Sequence, residues 1–104
     1  MTVRTWLRER TPAPPARLAV RIEEVLGERC EADSENASMH CLDAAETVLR
    51  DIVTRPSAGR EAALDLLTVD ALVTYAFEAA AADPASLESR ATAAMTRLAA
   101  TARQ

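Results

Sequence analysis

The spacing of apolar residues along the chain indicates a series of amphipathic helices. Leu18, Ile22, Val25 and Leu26 recur at i, i+4, i+7 and i+8, which places them on one face of a helix. Similar spacing elsewhere predicts further helices, and together they span about residues 3–10, 15–26, 35–54, 60–82 and 84–102. We therefore expect an all-α fold over residues 1–104, a single small bundle of four main helices plus a short N-terminal helix.

Capping and helix-breaking residues bound these segments. Thr2 is the expected N-cap of the first helix, and Gly27 the expected C-terminal cap of the second. Ser34 is the expected N-cap of the third helix, which ends before a break at residues 55–59. Asp83 is expected to cap the fifth helix, because the proline after it suits a first helical position.

The fourth predicted helix is apolar around nearly its whole circumference. Between residues 62 and 82 the only charged side chains are Asp65, Asp70 and Glu78. A helix of this kind is normally buried on most sides, so we expect it to be central. A chain of 104 residues has difficulty covering such a helix, which favours a homo-oligomer or a protein partner. The expected core comprises Leu18, Ile22, Val25, Leu49, Ile52, Leu66, Leu67, Val73, Phe77 and Leu98.

Composition and charge restrict the class of protein. The chain has 23 alanines and three aromatic residues, so its core should be thin. Its formal net charge of −4 argues against nucleic-acid binding, which needs a basic surface. The sequence contains neither a signal-peptide pattern nor an apolar run that spans a bilayer. We expect a cytoplasmic protein with reduced thiols and no membrane association.

Cys30, His40 and Cys41 are the candidate metal-ligating residues. Thiolate and imidazole are suitable ligands for zinc or copper. Neighbouring side chains on a helix point about 100° apart, which makes it difficult for His40 and Cys41 to reach one ion. In the alternative interpretation Cys41 is a small core residue, His40 is solvated, and Cys30 lies in an exposed polar loop over residues 28–36.

The sequence offers little support for catalysis. A Cys30–His40 pair would need an orienting group and an oxyanion donor, and no segment supplies the donor. The two glycines, Gly27 and Gly59, form no phosphate-binding loop. We therefore expect a protein that is not an enzyme and holds no cofactor.

Asp70, Tyr75 and Trp6 are the candidate partner-facing residues. A carboxylate midway along an apolar helix must be paired or hydrogen-bonded if it is buried. Asp70 therefore either meets an arginine in a helix seam, Arg17 or Arg21, or faces a partner or ligand.

Residues 67–78, which read LTVDALVTYAFE, resemble a helix of the trans-isoprenyl diphosphate synthases. The preceding residues 59–62 are similar to the Gly-Glu-Ala that opens that helix, with longer spacing here. The resemblance implies an all-α fold and chemistry on allylic diphosphates with magnesium held by two aspartate-rich motifs. Neither motif is present in this chain, so no catalytic residue is carried over.

Two classes of function follow from these patterns. The first is a small non-enzymatic helical interaction protein, either a homodimer or an accessory subunit of a larger complex. The alternative is a ligand- or metal-binding bundle. It would use Cys30, His40 and Cys41, or an isoprenoid-related pocket near Asp70 and Tyr75.

Overall fold

A computed structural model describes residues 1–55, 59–82 and 84–103, with residues 84–87 and 90 described by their backbone alone. The fold is all-α, as the sequence predicts, and the described residues contain no strand. Two short 3₁₀ helices, Gly27–Glu31 and Ser34–Asn36, connect the second α-helix to the third. The α-helices are α1 (Val3–Arg8), α2 (Ala16–Leu26), α3 (Ala37–Thr54), α4 (Arg60–Ala80) and α5 (Pro84–Ala102).

The caps at the start of α1 and at the end of α2 are those that the sequence predicts. The Thr2 hydroxyl accepts a hydrogen bond from the Thr5 backbone N–H at 3.2 Å and so begins α1. Gly27 ends α2 with a φ of 55°, a left-handed conformation that glycine adopts without steric cost. The expected cap at Asp83 and residues 56–58 of the expected break at 55–59 lie outside the described residues.

The start of α3 differs from the prediction, because Ser34 does not cap it. The Asp33 carboxylate instead accepts the Glu35 backbone N–H at 2.8 Å and begins a 3₁₀ helix. This tight turn occupies the residues that periodicity assigned to a longer helix, so α3 begins at Ala37. The predicted loop at 28–36 is largely 3₁₀ structure.

The centre of the fold is the pairing of α3 with α4, and α2 and α5 lie on its flanks. Small residues on α3 are almost completely buried, among them Ala37, Cys41, Ala44 and Ala45. Small side chains allow two helix axes to approach closely, so Leu72 of α4 is fully buried against this surface.

The N-terminal helix α1 is held by both backbone and apolar contacts. The Val3 N–H donates to the Ala32 carbonyl and the Ser34 N–H to the Met1 carbonyl, each at 2.9 Å. The side chains of Val3 and Leu7 are buried. The short helix is therefore part of the core, although the list of expected core residues omitted it.

The expected burial of Leu66 and Leu67 is wrong. Their side chains are 55% and 54% exposed, because α4 packs on α3 through the opposite side of the helix. The fourth helix is thus central on one face only. Of the other expected core residues Ile22 is buried, and those partly buried are Leu18, Val25, Leu49, Ile52, Val73, Phe77 and Leu98.

Among the residues described, no helix combines the length and the apolar character needed to cross a membrane.

Candidate interaction surface

Helix α4 has two faces of different composition. Its inner face packs in the core and includes Thr68, Leu72, Tyr75 and Ala76, all buried. The outer face of α4 consists of exposed residues that recur at helical spacing on the other side. These are Arg60, Ala63, Leu66, Leu67, Asp70 and Thr74.

Leu66 and Leu67 form an apolar centre on the outer face of α4. Single exposed apolar residues are ordinary on protein surfaces, but here two adjacent leucines are each more than half exposed. Removing a leucine side chain from water is favourable by about 1.5–3 kcal/mol when burial is complete. This part of the helix therefore has free energy to gain from contact with another surface.

Asp70 lies on the same outer face and is exposed. Its carboxylate forms no ion pair with any other described residue. Arg21, one of the two arginines expected to pair with it, instead binds Asp65, with 3.2 Å between Nε and Oδ1. The expectation that Asp70 is buried in a helix seam is therefore wrong, and the carboxylate remains open to a partner.

Trp6 and Tyr75 contact each other inside the chain. Their rings meet edge to face with centroids 6.3 Å apart. Tyr75 is only 9% exposed, and burial raises the pKa of its hydroxyl. The Arg10 guanidinium lies over the indole of Trp6, 4.2 Å from the ring centroid. Of the three expected partner-facing residues, only Asp70 is thus largely available to a partner.

The candidate metal ligands do not form an accessible site. Cys30 and Cys41 are free thiols, and both are fully buried. The expected exposed loop position of Cys30 is wrong, because its Sγ points inwards, 3.6 Å from the Glu23 carbonyl oxygen. Burial raises the pKa of both thiols, that of Cys41 to about 12. The described residues include no group of three or more His, Cys, Asp or Glu side chains arranged to hold an ion.

His40 is partly buried on α3, and its Nδ1 atom is buried without a hydrogen-bond partner among the described residues. The expectation that His40 is solvated on the helix surface therefore holds for only part of the side chain.

A groove of about 330 Å³ runs between α3, α4 and α5. Its walls are mainly apolar and include Met39, Leu42 and Phe77. Arg97 is the cation at its edge, and its guanidinium is occupied by Asp43 at 2.6 Å and Glu46 at 3.3 Å. A diphosphate would have to displace these carboxylates, so the groove is poorly prepared for an anionic ligand.

An isoprenoid-related pocket near Asp70 and Tyr75 finds no support in the geometry. Tyr75 lines a smaller cavity of about 160 Å³ beside α2, together with Leu7 and Ile22. Asp70 lies on the outer face of α4, away from this cavity.

The sequence pattern pointed to Asp70 as a candidate partner-facing residue, but the rest of the outer face of α4 was not predicted from it. Positions 60, 63, 67, 70 and 74 follow a helical period, and three of them are polar, namely Arg60, Asp70 and Thr74. Polar residues repeated along one side of an apolar helix indicate solvent on that side. The signal was weak because Leu66 and Leu67 fall among them.

Comparisons of this chain with protein-family models, with curated proteins and with solved structures find no match.

Proposed function

We propose that this chain is a small, non-enzymatic helical interaction protein of the cytoplasm, which binds protein through the outer face of α4. It acts as a homodimer or as an accessory subunit of a larger complex. The observation that carries the proposal is the exposure of Leu66 and Leu67, at 55% and 54%, beside the open carboxylate of Asp70.

The arrangement of this surface supports recognition of a protein. Adjacent leucines supply an apolar centre, while Arg60 and Asp70 supply charges near its edges. Protein interfaces commonly combine an apolar centre with a polar rim that excludes water and fixes orientation. The face lies on a 21-residue helix already anchored in the core, so binding requires little additional ordering of the backbone.

The state of the thiols supports a non-catalytic role in a reducing compartment. Cys30 and Cys41 are unpaired with each other, as in most cytoplasmic proteins. A nucleophilic cysteine needs a depressed pKa and an accessible sulfur, whereas burial raises the pKa of both thiols here.

The proposal is tested by changing the leucines and measuring the size of the native species in cell extract. The tagged chain, Leu66→Gln/Leu67→Gln and a control, Val20→Gln, are each separated by size without prior purification. Val20 is 59% exposed on α2, so its substitution removes a comparable apolar group from a different helix. Glutamine is uncharged and comparable in size to the side chains it replaces, so the substitutions change the polarity of the surface and not its charge.

We expect the wild type and the Val20 variant to elute in a species larger than the 11.2 kDa monomer. The double leucine variant should elute as the monomer with an unchanged helical spectrum. A double variant that keeps the larger species contradicts the proposal, as does a wild type that is monomeric both in extract and after purification at about 100 μM.

A further inference from the structure

We infer that the partner of the outer face of α4 is a second copy of this chain, bound with the two α4 helices antiparallel across a two-fold axis near residue 65. This inference rests on the proposed function and names its partner. The observation behind it is that the face carries complementary groups at equal distances from one point.

The charges on this face are self-complementary. Arg60 and Asp70 are both exposed and lie five residues on either side of position 65. At about 1.5 Å per residue they are about 15 Å apart along the helix. When two copies pair antiparallel about position 65, each Arg60 stands level with Asp70 of the other copy. A two-fold axis creates this ion pair twice, because both copies use the same surface.

The apolar groups match in the same register. Ala63 and Leu67 are also equidistant from position 65, and both are exposed. Each Leu67 therefore stands opposite an alanine of the other copy, where the small side chain leaves space for the larger one. Large residues that face small ones across a helix pair allow close packing of the axes. Leu66 flanks this centre and gains further burial.

The pairing explains why Asp70 is left without an internal partner. Arg21, one of the two arginines expected to pair with Asp70, binds Asp65 instead, and Asp70 is exposed on the surface. An interface formed by one helix from each copy is small, and charge pairs at its edge are worth little singly. We therefore expect a reversible dimer, with a dissociation constant of about 1–100 μM.

Charge reversal tests the register. Asp70→Arg places two arginines opposite each other twice in the homodimer, and Arg60→Asp places two aspartates there twice. Each purified variant should dimerise about tenfold or more weakly than the wild type in sedimentation velocity. An equimolar mixture should recover dimer, because a heterodimer of the two variants restores both pairs. Glu78→Arg is the control, since Glu78 is exposed on α4 but outside the paired register.

The outcomes separate this inference from the proposed function. A purified wild type that stays monomeric at 100 μM, while the extract contains a leucine-dependent larger species, overturns the dimer and leaves the interaction surface intact. Charge-reversed variants that dimerise like the wild type, or a mixture that fails to recover dimer, overturn the antiparallel register. A wild type monomeric in both settings overturns the inference and the proposed function together.

Discussion

The indole of Trp6 contacts the phenol ring of Tyr75 edge to face, with an interplanar angle of 86° and 6.3 Å between the ring centroids. This contact joins α1 to α4, two helices far apart in the sequence. Leu7 is buried beside it, and the Arg4 and Arg8 side chains both reach Glu23 on α2. The short N-terminal helix is therefore anchored at a central helix and at a flanking one.

Replacing the Trp6 indole should weaken the packing of α1 on α4 and so lower the stability of the fold. We expect Trp6→Ala to lower the free energy of unfolding by about 2–3 kcal/mol, near the lower end for aromatic truncation because Trp6 is only partly buried. Trp6→Phe keeps an aromatic edge and should cost less than half as much. Urea denaturation followed by circular dichroism measures both, and equal losses would show that the aromatic contact is unimportant.

The two faces of α4 should respond differently to the same substitution. Leu72→Ala opens a cavity at a fully buried position and should cost about 3 kcal/mol. Leu67→Ala removes an exposed side chain and should change the stability of the monomer by less than about 0.5 kcal/mol. Urea denaturation at low micromolar concentration makes the comparison. Similar losses at both positions would mean that Leu67 is buried within the monomer.

The number and type of the helices were predictable because strong 3.6-residue periodicity and local caps act over short distances. Thr2 and Gly27 needed only their neighbours to define helix ends. The start of α3 was not predictable in the same way, since Asp33 and Ser34 are both good capping residues in consecutive positions. Only the structure shows that the Asp33 carboxylate accepts the capping hydrogen bond from the Glu35 N–H.

Burial was less predictable than secondary structure for a physical reason. The sequence of a helix that is apolar on nearly every side does not indicate which side packs against a neighbour. Leu66 and Leu67 were therefore wrongly predicted to lie in the core. Much of the core surface of α3 is formed instead by alanines and by Cys41, whose small side chains give weak periodic signals. Cys30 was placed in a loop because its neighbours are charged, yet the 3₁₀ turn directs its sulfur inwards.

Both thiols should be protected in the folded protein. Burial raises the pKa of Cys30 and Cys41, and neither sulfur is accessible to a reagent. At pH 8 we expect each to react with a thiol reagent more than about a hundredfold more slowly than in urea, at a rate set by local unfolding. Rapid modification of either cysteine in the native protein, located by peptide mass, would contradict its burial.

Acid should weaken the anchor of α1 through Glu23. Hydrogen bonds from Arg8 and Arg4 lower the pKa of the Glu23 carboxyl despite its partial burial. A lowered pKa stabilises the folded state above the unfolded value of about 4.3, and this contribution is lost as the pH falls through the folded pKa.

Glu23→Gln should therefore flatten the decline of stability between about pH 5 and pH 3. Glu28→Gln, at an exposed residue of the first 3₁₀ helix, is the matched control and should leave the slope unchanged. Parallel slopes for the wild type and both variants would mean that Glu23 does not link its protonation to folding.

The most direct test of the interaction surface is hydroxyl-radical footprinting of the associated and monomeric species. Oxidation at Leu66 and Leu67 is compared between the two species at equal radical dose, with Val20, which is similarly exposed on α2, as the control site. If the outer face of α4 binds the partner, both leucines should be oxidised several-fold less in the associated species, with Val20 unchanged. Equal oxidation of the leucines in both species, or protection at Val20 alone, would contradict the assignment of this surface.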